Sequence, residues 1–292
     1  MTLTGLYVPL ITPFDSSGAV ATDALTTLAA DALDAGAAGV VALGTTGEPA
    51  ALSDEEQSVV LDVLAAVCRE RGARLLVGAN SVAALRALGE RPEVTAALSL
   101  VPPFLRPGPA GVLAHFAHLA QASPVPLVVY HVPYRTGQQL HADDLRRLAE
   151  VPGVVGVKYA TGQLDADTID LLADVPPGFA VLGGDDPLLS PLLALGAHGA
   201  IAASAQVAAA EFVRLVTHWQ AGDIVGGRSL GQRLAGLSVA LFAGPNPTVI
   251  KSVLHARGRI PTPAVRLPLL PADQDATRRA LRQLDRVASE PT

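Results

Sequence analysis

The sequence predicts an α/β fold, a (β/α)8 barrel (TIM barrel) carrying additional C-terminal helices. Two patterns and one absence support this. Eight short, nearly uninterrupted apolar runs alternate with amphipathic stretches, and such runs suit parallel strands buried on both faces. Eight strand–helix units in succession favour closure into a barrel. No Gly-x-Gly-x-x-Gly follows the first run, so the fingerprint of an open, doubly wound dinucleotide-binding sheet is missing.

In chain order the expected strands are Leu6–Thr12, Gly39–Leu43, Arg74–Gly78, Ala96–Val101, Pro126–Tyr130, Val154–Lys158, Ala180–Leu182 and Gly199–Ala202. Helical patterns lie between them at Thr22–Ala35, Asp54–Arg71, Pro109–Ala122, Ala142–Ala149, Asp165–Ala173 and Pro187–Leu195. The crossover after the third strand, Ser81–Glu93, is short for a helix. The barrel is expected to occupy residues 1–207, with residues 208–292 forming a helical extension packed on it. Within that extension, Ala208–Leu254 and Ala272–Ser289 read as helices separated by the proline-rich Ile260–Pro271.

Composition narrows the function classes. Half of the 292 residues are hydrophobic and 16% are charged, enough for a large core. The net charge of −6 and the lack of any Lys/Arg cluster argue against nucleic acid or an anionic membrane as partner. Pro187–Ala210 carries no formal charge and is long enough to span a bilayer, but prolines, glycines and polar residues break it up. The N-terminus lacks the basic and apolar regions of a secretory signal, and the single Cys68 cannot form an internal disulfide, so a cytoplasmic location is expected.

Candidate site residues come from the ends of the strands, because a barrel of this type builds its site at the strands' C-terminal face. Of 21 basic residues only two are lysines, Lys158 and Lys251. Lys158 ends the sixth apolar run, where an amine can lose its proton and attack a carbonyl carbon. Gly44-Thr45-Thr46-Gly47-Glu48 follows the second strand and offers hydroxyls and backbone N–H groups to a carboxylate. Tyr130-His131-Val132-Pro133-Tyr134-Arg135-Thr136-Gly137 follows the fifth, with a phenol for proton transfer and a guanidinium for a second carboxylate. Gly183-Gly184-Asp185-Asp186 ends the seventh, where Gly184 permits close approach of a ligand, and Ile201 lies in the eighth. These groups suit condensation of a keto acid with Lys158, the protonated imine acting as electron sink. No metal or cofactor is needed for this. His115 and His118, three apart on a helix, lack an evident third ligand.

These three motifs, in register with a fourth, Gly156-Val157-Lys158-Tyr159-Ala160-Thr161-Gly162, resemble the dihydrodipicolinate synthase / N-acetylneuraminate lyase family of pyruvate-dependent class I aldolases. The resemblance runs from Leu6 into the C-terminal helices. It implies that Lys158 forms the Schiff base, Tyr130 and Thr45 relay protons, and Thr46 binds the pyruvate carboxylate with help from the Ile201 backbone. It implies that Arg135 holds the carboxylate of aspartate semialdehyde, as in synthases of the family, and that the chain assembles as a homotetramer or homodimer.

Two positions and one stretch depart from the synthase pattern. Phe104 replaces the tyrosine that completes the proton relay across a subunit interface, and Tyr159 stands where an acidic residue is common. The stretch after Asn80 lacks several polar residues associated with feedback by lysine. Tyr134 is a candidate source of the missing hydroxyl. The alternatives are a 2-keto-3-deoxy sugar acid aldolase or dehydratase using the same lysine, and a paralogue that binds a keto acid without turnover.

Overall fold

The computed structural model describes residues 2–288; Ser289, the last residue of the expected tail helix, lies outside them. Strands β1 (Gly5–Pro9), β2 (Gly39–Ala42), β3 (Arg74–Gly78), β4 (Val94–Leu100), β5 (Leu127–His131), β6 (Val154–Tyr159), β7 (Ala180–Gly183) and β8 (Gly199–Ile201) pair in parallel and in sequence order. β8 returns to pair with β1 and closes the barrel. Helices α1 (Thr22–Asp34), α2 (Asp54–Arg71), α3 (Val82–Ala87), α4 (Gly108–Ala122), α5 (Pro133–Thr136), α6 (Ala142–Ala149), α7 (Ala166–Ala173) and α8 (Leu189–Ala194) connect the strands. After β8 come α9 (Ala209–Gln220), α10 (Ile224–Leu241), α11 (Thr248–Ala256) and α12 (Gln274–Ala288).

The short crossover after β3 divides into the six-residue α3 and a single tight turn at Leu88–Glu90. Helix α9 packs on β1 and between α8 and α1, so it completes the ring of helices around the barrel. Helix α10 then packs on α8 and α9 outside that ring, and α12 packs on both α10 and α11. The uncharged stretch Pro187–Ala210 resolves into a turn, α8, β8 and a second turn, and no helix among the described residues is long and apolar enough to cross a membrane.

Side-chain alternation creates two cores. Tyr7, Val41, Leu76, Leu98, Val128 and Leu182 fill the barrel interior, whereas Val8, Val40, Val77, Val129 and Val181 face the helices. Two strands carry an extra residue. The register steps from Leu127↔Val154 to Val128↔Gly156, so Val155 has no partner on β5, and β4 makes the same step between Val94 and Ala96. Beyond the step in β6, Val157 and Tyr159 pack in the outer core while Ala160 joins the inner one. Lys158, lying between Val157 and Tyr159, therefore points into the barrel.

Candidate active site

At the C-terminal end of the barrel a cavity of about 200 Å³ is lined by Thr45, Thr46, Tyr130, Tyr134, Arg135, Lys158, Gly184, Asp185, Asp186, Pro187, Ala203, Phe242 and Asn246. Of the residues expected from sequence, it gathers Lys158, Tyr130, Thr45, Thr46, Arg135 and Gly184. Ile201 is fully buried in the inner core and its side chain does not line the cavity. Phe104 is 89% exposed and lies off the cavity.

Lys158 is 6% exposed, and burial lowers its pKa to about 8 against the opposing pull of Asp186 and Asp185. At pH 7 that raises the free-amine fraction from roughly 0.03% to roughly 10%. Register pairs Tyr130 with Lys158 on neighbouring strands, which sets the ammonium nitrogen 4.4 Å from the centre of the Tyr130 ring. Burial pushes the Tyr130 phenol up, while Arg135 and a hydrogen bond with Thr45 act in the opposite sense. Gly184 makes room for the lysine: a Cβ there would come within 2.8 Å of Lys158 Cγ and Cε.

The loop after β2 supplies the cradle. Residues Thr45–Gly47 form one tight turn, which Glu48 ends in the left-handed region at φ 56°. Thr46 is buried, and its Oγ1 accepts a hydrogen bond of 2.9 Å from Asn246 Nδ2. Thr45 is exposed to the cavity. The run after β5 makes the single helical turn α5, which starts at Pro133 and presents Tyr134 and Arg135 side by side. Arg135 Nε donates to the Tyr134 hydroxyl oxygen at 3.1 Å, leaving that hydroxyl's proton free to be donated.

Asp186 is buried at the back of the site, and burial raises its pKa to about 6. Its Oδ2 accepts the Ser204 backbone N–H at 2.6 Å. Asp185 accepts from the Gly162 backbone N–H at 2.6 Å, tying the turn after β7 to the one after β6. Phe242 and Asn246 come from the helical extension and were not foreseen from sequence. Their one signal is Gly244-Pro245-Asn246-Pro247, turn punctuation inside a stretch read as helix. Cys68 is buried in α2, where burial pushes its thiol up to about 11. Among the described residues no three His, Cys, Asp or Glu side chains converge as a metal site.

A helix-wrapped parallel barrel with a deprotonatable lysine at its C-terminal mouth defines a lyase of the class I aldolase type. The chain belongs to the dihydrodipicolinate synthetase family, which it matches over residues 2–286. It is 37% identical over 280 residues to the 4-hydroxy-tetrahydrodipicolinate synthase of Neisseria meningitidis serogroup B, covering 94% of each chain. With that of Moorella thermoacetica it shares 36% identity over 274 residues, 92% of this chain and 93% of the other. A dihydrodipicolinate synthase of Acinetobacter baumannii, solved in complex with pyruvate, superposes with a TM-score of 0.92 at 31% identity, over 98% of this chain and 99% of that one.

Proposed function

We propose that this protein condenses pyruvate with aspartate semialdehyde through a Schiff base on Lys158, as its relatives' name, 4-hydroxy-tetrahydrodipicolinate synthase, describes. One observation carries the reading: a buried amine with a depressed pKa opens into the same cavity as Thr45, Thr46, Tyr130 and Arg135. The free amine of Lys158 attacks C2 of the keto acid, and loss of the carbonyl oxygen as water leaves a protonated imine. That imine withdraws electrons from C3, which loses a proton to give an enamine. The enamine carbon then attacks the aldehyde carbon of the acceptor, whose oxygen takes up a proton. Hydrolysis or internal attack by an amine of the product frees Lys158 again.

Each neighbouring group has a task in this scheme. The Thr46 end of the cradle receives the keto-acid carboxylate beside the exposed N–H groups of the turn. Tyr130, hydrogen-bonded with Thr45, passes protons at the carbinolamine and aldehyde oxygens. Arg135 at the mouth holds the acceptor's carboxylate. The imine is itself the electron sink, so the scheme uses no separate cofactor or metal. We also propose that the protein acts in the cytoplasm as a homotetramer, a reading supported by the family resemblance and the exposure of Phe104.

A second reading, cleavage or dehydration of a 2-keto-3-deoxy sugar acid, is favoured by Phe104, which brings no hydroxyl to the position where the synthases of the family carry a tyrosine. Incubation with pyruvate, reduction with borohydride and peptide mapping tests the first step. The adduct is expected on Lys158, and it should form faster as pH rises through about 8, because only the deprotonated amine attacks. An unmodified Lys158 overturns the mechanism. Turnover of sugar acids without turnover of aspartate semialdehyde would move the assignment to the second reading.

A further inference from the structure

The second lysine has no place in that mechanism. Lys251, on α11, is 0% exposed, so no substrate reaches it. Its Nζ donates to Glu48 Oε1 at 2.5 Å and to the Ala264 carbonyl at 2.9 Å, and lies 4.1 Å from the centre of the Phe14 ring. Burial lowers its pKa to about 8, as it does for Lys158, with Glu48 opposing. The two lysines therefore share a shifted proton affinity, and only one of them opens into a cavity.

What Lys251 holds is the end of the carboxylate cradle. Glu48 closes Gly44-Thr45-Thr46-Gly47-Glu48 in a left-handed conformation that costs a residue with a Cβ about 1 kcal/mol or more. Both oxygens of its buried carboxylate are engaged, Oε1 by Lys251 and Oε2 by the Arg266 backbone N–H at 2.9 Å. Asn246, five residues before Lys251, holds the Thr46 hydroxyl. From the barrel side, Thr12 Oγ1 donates to the Gly47 carbonyl at 2.8 Å. The loop that carries Thr45 and Thr46 is thus gripped at its side chains by residues 246–266.

We propose that Lys251, through its buried ion pair with Glu48, is a positioning residue that aims Thr45 and Thr46 at the keto-acid carboxylate. This rests on the reading of the cradle given above. A buried ion pair is weak evidence of stabilisation, because desolvating the two charges offsets much of their attraction, and exchange of both partners for neutral groups is often tolerated. What the pair supplies is direction: a carboxylate at the turn's end and an ammonium on α11 fix the register between barrel and extension.

The test is Glu48→Gln/Lys251→Met, which removes both charges and strands neither. Expected is a folded protein whose KM for pyruvate rises roughly tenfold, the scale of one charge-assisted hydrogen bond. KM for the aldehyde should change less than twofold, and borohydride should still trap pyruvate on Lys158. A folded double variant with an unchanged KM for pyruvate, whatever its melting temperature, overturns the proposal and leaves Lys251 a purely structural residue. If the double variant does not fold, Glu48→Gln alone carries the same comparison of the two KM values. Failure of the Schiff-base reading shows separately, as absence of the Lys158 adduct in the unsubstituted protein.

Discussion

At the scale of single residues, two side chains next to each other in sequence divide the work at the cavity mouth. Arg135 gives its Nε–H to the Tyr134 oxygen, and this leaves the phenol one proton to donate and one direction in which to donate it. With Phe104 facing solvent, Tyr134 is the further tyrosine, besides Tyr130, that lines the cavity. Tyr134→Phe keeps the ring and removes that proton. Steady-state kinetics should show kcat reduced by roughly 10²-fold, the lower end of what a positioned acid or base contributes, with KM for pyruvate little changed. Unchanged kcat would remove Tyr134 from the proton path. Lys158 itself was legible in the sequence, because a lysine at the end of an apolar run in a lysine-poor chain invites a chemical explanation. Its mirror, Lys251, was not, since its partners Glu48 and Ala264 are 203 and 13 residues away.

At the scale of elements, α2 shows how the site loop is anchored at its far side. The helix begins with a capping box: Ser53 Oγ accepts the Glu56 N–H at 3.2 Å, and the Glu56 carboxylate accepts the Ser53 N–H at 2.9 Å. The same carboxylate pairs with Arg266, whose guanidinium lies 4.4 Å from the centre of the Phe14 ring. Arg266 therefore clasps the start of α2 with its side chain and Glu48 with its backbone. Its hydrogen bond holds the Glu56 carboxyl down to about 2. The sign follows: a carboxylate with a depressed folded pKa lends stability that is present above its unfolded value, near 4.5, and is lost as pH falls towards 2. Ser53→Ala should cost about 1 kcal/mol by loss of the cap, seen as a lower midpoint in chemical denaturation at neutral pH. A midpoint identical to that of the parent would show that the cap contributes nothing. The Ser-x-x-Glu pattern made this helix start readable from sequence, whereas the Arg266 clasp spans 210 residues and left no local trace.

At the scale of the whole molecule, the order and type of the barrel strands were readable because each is a separate apolar run with its own turn signals. Their boundaries were less so: β1 ends at Pro9 where the apolar pattern runs on to Thr12, and β4 starts at Val94, two residues before the expected Ala96. Hydrophobicity continues past the end of β1 because Leu10 and Ile11 are buried in the outer core, Leu10 still donating its N–H to the Val41 carbonyl of β2 at 3.1 Å. The contribution of the extension to the cavity, through Phe242 and Asn246, could not be read from sequence, since it arises only when the chain folds back across some 200 residues. Assembly also belongs to this scale. Phe104 and Leu105, 89% and 79% exposed and next to each other, form an apolar tip with Phe104 at φ 69°. Phe104→Asp is expected to shift the mass measured by light scattering to a smaller species; an unchanged mass would exclude this tip as an essential contact between copies.

The unpaired Val155 of β6 bears on how such a site can vary. Strand side chains alternate, so Lys158, four residues after the outward-facing Val154, would share that face without the step at Val155. The nucleophile thus depends on a count as well as on a chemistry. A β6 of the same length paired residue for residue with β5 from Val154 would set Lys158 opposite His131, so it would keep each group named in the mechanism and turn its lysine away from them. The step at Val155 is in that sense as much a part of the active site as the lysine.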